Sequence, residues 1–106
     1  MPIARAYEPG LVAISAGYDA HRDDPLAECS VETEGYGELA ATVGALGSEL
    51  GIPVLVCLEG GYNREALAAS VLATIDALAR ERAPIEAPAE LARPYIERQR
   101  EYWPQI

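Results

Sequence analysis

The chain's only histidine, His21, shares one twelve-residue segment with three of its four aspartates, Ser15-Ala-Gly-Tyr-Asp-Ala-His-Arg-Asp-Asp-Pro-Leu26. A carboxylate is an oxygen donor that zinc accepts at ~2.0–2.2 Å. Asp19 has that capacity, although a carboxylate here could equally cap its loop or pair with Arg22. Asp19-Ala20-His21 has the spacing of a chelate. A single histidine in a charged loop is also commonly a solvated or hydrogen-bonded residue. Asp23-Asp24-Pro25 reads as a turn in which Asp24 accepts backbone N–H groups. A second polar segment, Leu58-Glu59-Gly60-Gly61-Tyr62-Asn63, carries a phenol. Tyr62 could donate a hydrogen bond to a developing oxyanion, or simply pack on its loop. The two glycines before it permit positive φ and close approach to the backbone; ahead of a helix N-terminus they could also cradle an anion. No Lys-Ser or Lys-Thr follows them, so they are not a Walker-type phosphate loop.

These segments need elements that hold them. Pro2–Tyr7 suits one or two helical turns, with proline at a first helical position, and Pro9-Gly10 breaks them. Residues 11–16 read as an apolar strand and 17–31 as loop. Over 33–50, Leu39, Val43, Leu46 and Leu50 recur at helical spacing and predict one buried face. Gly35, Gly37, Gly44 and Gly47 weaken that helix, and Gly51 is placed to cap it. Pro53 precedes a second strand, Val54–Leu58, in which Cys57 reads as a small core residue. From Arg64 to about Glu81 a helix is predicted, with Leu67, Val71 and Leu78 on one stripe and Leu72 and Ile75 beside it. Pro84 and Pro88 end it. Residues 89–101 read as an exposed helix, and Tyr102-Trp103-Pro104 as an apolar latch.

Strand, helix, strand in this span implies two parallel strands joined by a crossover. Neither strand alternates in polarity, which predicts burial on both faces as inside an α/β sheet. The fold class is therefore α/β, two parallel strands with two to three helices, and most of the expected sheet is missing. Parallel strands bring both polar segments to the same sheet edge.

With 106 residues the chain is at most one small domain. It is 50% apolar and 24% charged, with a net charge of −9. Such a balance argues against nucleic acid or an anionic membrane surface as a general partner. No apolar run approaches the ~20 residues of a membrane span, and the opening residues lack a signal-peptide stretch. A soluble, cytoplasmic protein is the default expectation. Cys29 and Cys57 form neither a disulfide framework nor a thiolate zinc site.

Together, the two polar segments resemble the zinc-dependent histone deacetylase superfamily, which includes acetylpolyamine amidohydrolases and bacterial acetoin-utilisation proteins. Ser15–Leu26 is similar to the family's segment bearing its third zinc ligand, and Leu58–Asn63 to the one bearing its catalytic tyrosine. The Glu-Gly-Gly-Tyr form is most similar to the class II and bacterial branch. Similarity runs from about Pro2 to Leu78. It implies a fragment of the three-layer parallel-sheet arginase/deacetylase-type fold. Residues 1–81 would be the C-terminal part of that α/β domain, and 82–106 a terminal helix and tail. It further implies that Asp19 is a zinc ligand, Tyr62 stabilises the tetrahedral oxyanion, Gly60 and Gly61 line the acyl channel, Leu26 sits at its wall or rim, and His21 is a loop residue. The implied substrates are acetylated lysine or an acetylated polyamine.

The family's other zinc ligands come from an earlier Asp-x-His segment and its general base from a His-His pair. Beyond Asp19-Ala20-His21 itself, this sequence, with a single histidine, contains neither. A catalytic zinc needs three protein ligands and an open position. The chain alone is therefore expected to bind zinc weakly and to be inactive, with an N-terminal complementing part as partner. Two other readings remain at this point: a non-catalytic module that binds a partner or anion at Gly60-Gly61, and a homo-oligomer formed through open sheet edges.

Overall fold

In a computed structural model, residues 1–80 and 89–106 are described. The elements are α1 (Pro2–Tyr7), β1 (Val12–Ala16), α2 (Thr33–Leu50), β2 (Val54–Leu58), α3 (Arg64–Ala79) and α4 (Ala89–Gln99). β1 and β2 pair in parallel, with Val12 opposite Val54, Ile14 opposite Val56 and Ala16 opposite Leu58. The strand–helix–strand reading thus holds, with α1 raising the helices to four among the described residues. The domain boundary expected at 81–82, and Pro84 and Pro88, lie outside the described residues.

Expected burial on both strand faces is not what the structure has. Val12, Ile14, Val54 and Val56 are half-buried beneath α2 and α3, while Ala13, Ser15, Leu55 and Cys57 are exposed. Cys57 is therefore no core residue. The reason is coverage: among the described residues no layer packs on the outer face. A side chain that is apolar in type stays exposed when nothing covers it.

The α2 stripe also needs correction. Leu46 is buried, but Leu39 is 62% exposed, and the buried face is built from Tyr36, Gly37, Ala40, Ala41 and Gly47. α3 answers with Ala66, Ser70, Thr74 and Ala77, leaving Leu72 and Ile75 exposed. Small residues let the two helices approach closely: a Cβ at Gly37 would stand 3.5 Å from the Ala73 carbonyl oxygen, and one at Gly44 3.1 Å from Leu78 Cδ2. The glycines that lower helix propensity are the contact surface, and packing offsets their cost. Gly51 caps α2 as expected, in the left-handed region at φ 66°.

At the other end of the molecule, Arg5 forks onto Glu49 at 2.7–3.0 Å and ties α1 to α2. The tail packs back as a latch, with the Trp103 ring edge-on to Tyr7 at 6.3 Å.

Candidate functional site

The site is built where β1 and β2 end side by side. Beyond the last ladder pair, the Glu59 N–H donates to the Ala16 carbonyl at 3.0 Å, and the Tyr18 N–H donates to the Gly60 carbonyl at 2.8 Å. The two segments that follow the strands are thereby zipped together, although the sequence separates them by about forty positions. Asp19 comes next on the first and lies directly over Gly60 on the second. A Cβ at Gly60 would stand 2.7 Å from Asp19 Oδ2 and 2.8 Å from its Cγ. Gly60 is glycine because the carboxylate fills the space a side chain would need.

Asp19 does not pair with Arg22. That guanidinium reaches Glu32 at 2.7 Å, with Asp23 at 4.0 Å. No donor among the described residues hydrogen-bonds the Asp19 carboxylate, so its lone pairs remain available to a cation. The fit to zinc is partial. Asp19 is a suitable oxygen ligand, but among the described residues no group of three His, Cys, Asp or Glu side chains converges to hold a metal.

His21 takes another role, as the loop reading anticipates, but it is buried instead of solvated, at 6% exposure. Its Nδ1 accepts the Asp23 N–H at 3.1 Å, which requires a lone pair there. The proton of the neutral ring then sits on Nε2 and faces Thr33 Oγ1 at 3.2 Å. His21 thus folds the loop, bridging to Val31 beside it. Beneath, Tyr18 donates its hydroxyl to Thr74 at 3.0 Å, and its ring packs on Tyr36 at 4.9 Å. Burial, then the nearby charges of Asp19 and Asp24, push the Tyr36 phenol above its ordinary pKa.

Asp24 joins the two segments. Its Oδ2 accepts the Tyr62 N–H at 2.7 Å and its Oδ1 the Leu26 N–H at 3.0 Å. Asn63 adds a second tie, donating Nδ2 to the Asp23 carbonyl at 3.0 Å. Its Oδ1 caps α3 by accepting the Glu65 and Ala66 N–H groups at 3.1 Å. Between these residues Gly61 adopts φ 135°, a conformation that L side chains rarely take. A Cβ there would also strike Leu67 Cδ1 at 2.8 Å. Tyr62 and Leu26 are left exposed, at 60% and 64%.

This arrangement speaks against the anion-cradle reading of Gly60-Gly61. The Glu65 and Ala66 N–H groups at the start of α3 are taken by Asn63, and the Tyr62 N–H by a carboxylate already in place. A further anion would meet Asp24. Asn63 before a helical run is an N-cap signal legible in sequence, and it was the missed residue with the clearest local cue.

Desolvation pushes the Asp24 carboxyl upward, but the N–H donors of Tyr62, Leu26, Asn63 and Ala27 outweigh it and hold the pKa below its ordinary 3.8. A depressed folded-state value stabilises above the ordinary pKa, and that stability is lost as pH falls through the folded value. Amide-exchange protection of Tyr62, corrected for intrinsic rate, is therefore expected to fall below pH 3.8. Protection that stays constant down to about pH 2 would contradict the ion-assisted bond.

Comparison with known proteins gives a consistent set of likenesses. The family model described as "Histone deacetylase domain" matches residues 1–78. Histone deacetylase 15 of Arabidopsis thaliana is 44% identical over 88 residues, 83% of this chain and 15% of that protein. The acetylpolyamine amidohydrolase of Burkholderia pseudomallei is 38% identical over 66 residues, 62% of this chain and 18% of that protein. The crystal structure of the HDA15 HD domain superposes with a TM-score of 0.74 at 40% identity, covering 97% of this chain and 28% of that one. The chain therefore spans less than a third of each of these relatives. Among the described residues no helix is long and apolar enough to cross a membrane.

Proposed function

Because the chain belongs to the histone deacetylase family, we propose that it is the C-terminal part of a zinc-dependent deacetylase domain, hydrolysing N-acetyl amides such as acetyl-lysine or acetylpolyamine, and that it is inactive alone. One observation carries the reading: the Asp19 carboxylate rests on Gly60, two residues before Tyr62, which brings the candidate metal ligand beside the segment that bears the candidate oxyanion donor. Asp19 would supply one oxygen ligand to zinc. Held by Asp19 and by ligands from outside these residues, zinc would supply a Lewis acid for the amide carbonyl and a water of lowered pKa. The Tyr62 hydroxyl would donate to the oxygen that gains charge as the carbonyl carbon becomes tetrahedral. Gly60 and Gly61, without side chains, would leave width for the acyl group, and Leu26 would form part of its rim.

The remaining ligands and the base must come from outside these residues. Supporting this are the outer face at Leu55 and Cys57 and the two sheet edges, all uncovered among the described residues. The rest of a deacetylase domain is the partner such surfaces fit. Without it the same edges can pair with a second copy. A cytoplasmic location is part of this reading.

The test compares two preparations: the 106-residue chain, and a hybrid in which its residues 1–78 replace the aligned segment of the HDA15 HD domain. The hybrid is expected to retain zinc and hydrolyse acetyl-lysine or acetylpolyamine, and the chain alone to do neither. Turnover by the chain alone, with zinc near one per molecule, would overturn the claim that outside groups are needed. A folded hybrid without turnover would overturn the deacetylase reading.

A further inference from the structure

Asp24 ties the two polar segments together, and its role here rests on the deacetylase reading of Tyr62. We propose that Asp24 is a positioning residue: its carboxylate places the Tyr62 phenol by holding the Tyr62 backbone, and with its other oxygen it fixes the rim at Leu26. The Tyr62 side chain is mostly exposed and cannot orient itself by packing. The two residues before it are glycines, one of them at φ 135°, so the chain entering Tyr62 has no side chains to anchor it. The Tyr62 N–H is the first group beyond that pair to be tied, and the tie crosses 38 sequence positions to Asp24 Oδ2 at 2.7 Å. A charged acceptor makes this a strong bond. The second oxygen accepts the Leu26 N–H at 3.0 Å. Asn63 then secures the far side, to the Asp23 carbonyl and to α3. Tyr62 is thus held between the segment bearing Asp19 and the helix behind it, and Asp24 need never touch substrate.

Asp24→Asn removes the acceptor's charge, which weakens the tie to Tyr62 in either amide orientation, and turns an N–H₂ toward one of the two donors. In the labelled 106-residue chain the wild type is expected to show a coupling across the hydrogen bond from the Tyr62 nitrogen to the Asp24 carboxyl carbon, a readout that needs no variant. In Asp24→Asn the Tyr62 amide proton is expected to move upfield and exchange about tenfold faster or more, with the Ala41 and Ala77 amides unchanged as the folding control. In the hybrid, the same substitution is expected to lower kcat roughly 10- to 100-fold through a misplaced phenol, with KM and zinc content little changed. No coupling in the wild type, an unmoved Tyr62 amide in Asp24→Asn, or a rate loss matched by zinc loss would each overturn the proposal. An inactive parent hybrid would instead remove the deacetylase reading, and the amide measurements would still decide whether Asp24 holds Tyr62.

Discussion

Tyr62→Phe in the hybrid is expected to lower kcat by roughly 10²–10³-fold, the cost of removing one oxyanion donor. The substitution removes a hydroxyl and keeps the ring. Because the side chain is 60% exposed, little packing depends on it. Its backbone N–H remains on Asp24, so the loop is unchanged. The carbonyl oxygen gains its charge only in the transition state, so the loss belongs in kcat, and KM should change little. Zinc content should not change, because Tyr62 is no ligand in this account. Full activity in Tyr62→Phe would remove the residue from the chemistry.

Asp19→Ala is expected to abolish zinc retention by the hybrid and take turnover to background. A site with three protein ligands that loses one keeps neither its geometry nor its charge balance. The structure leaves the carboxylate unpaired among the described residues, with Gly60 clearing room behind it. Deleting it breaks no hydrogen bond that holds the fold, so the hybrid should remain folded, and circular dichroism checks this. Zinc retained near one per molecule in a folded Asp19→Ala hybrid would place the metal elsewhere. The two substitutions separate cleanly: one removes metal and rate together, the other rate alone.

Much of the framework was legible because it depends on local pattern. Pro2, Gly51, Pro53 and the apolar runs at 12–16 and 54–58 mark their elements through backbone chemistry that acts over a few residues. The meeting of Asp19 with the Gly60 segment was legible too, since parallel strands must end at one edge. What failed was burial. Leu39 and Cys57 are apolar and read as interior, yet they are exposed because burial depends on a neighbouring layer. Conversely, Gly37, Ala40 and Ala77 carry little hydrophobic signal and are buried where α2 meets α3. Asp24 reads as an acceptor of backbone N–H groups within its turn, but nothing local points to a donor 38 positions away at Tyr62. The large apolar side chains left outside and the small ones packed inside fit the same account, in which this chain supplies part of a sheet.

The most direct test of the central claim is anomalous diffraction at the zinc edge from crystals of the hybrid. The account predicts a zinc peak at ~2.0–2.2 Å from an Asp19 carboxylate oxygen, with the Tyr62 hydroxyl facing the same space. A zinc peak bound by other residues, with Asp19 still resting on Gly60 and unliganded, would contradict it.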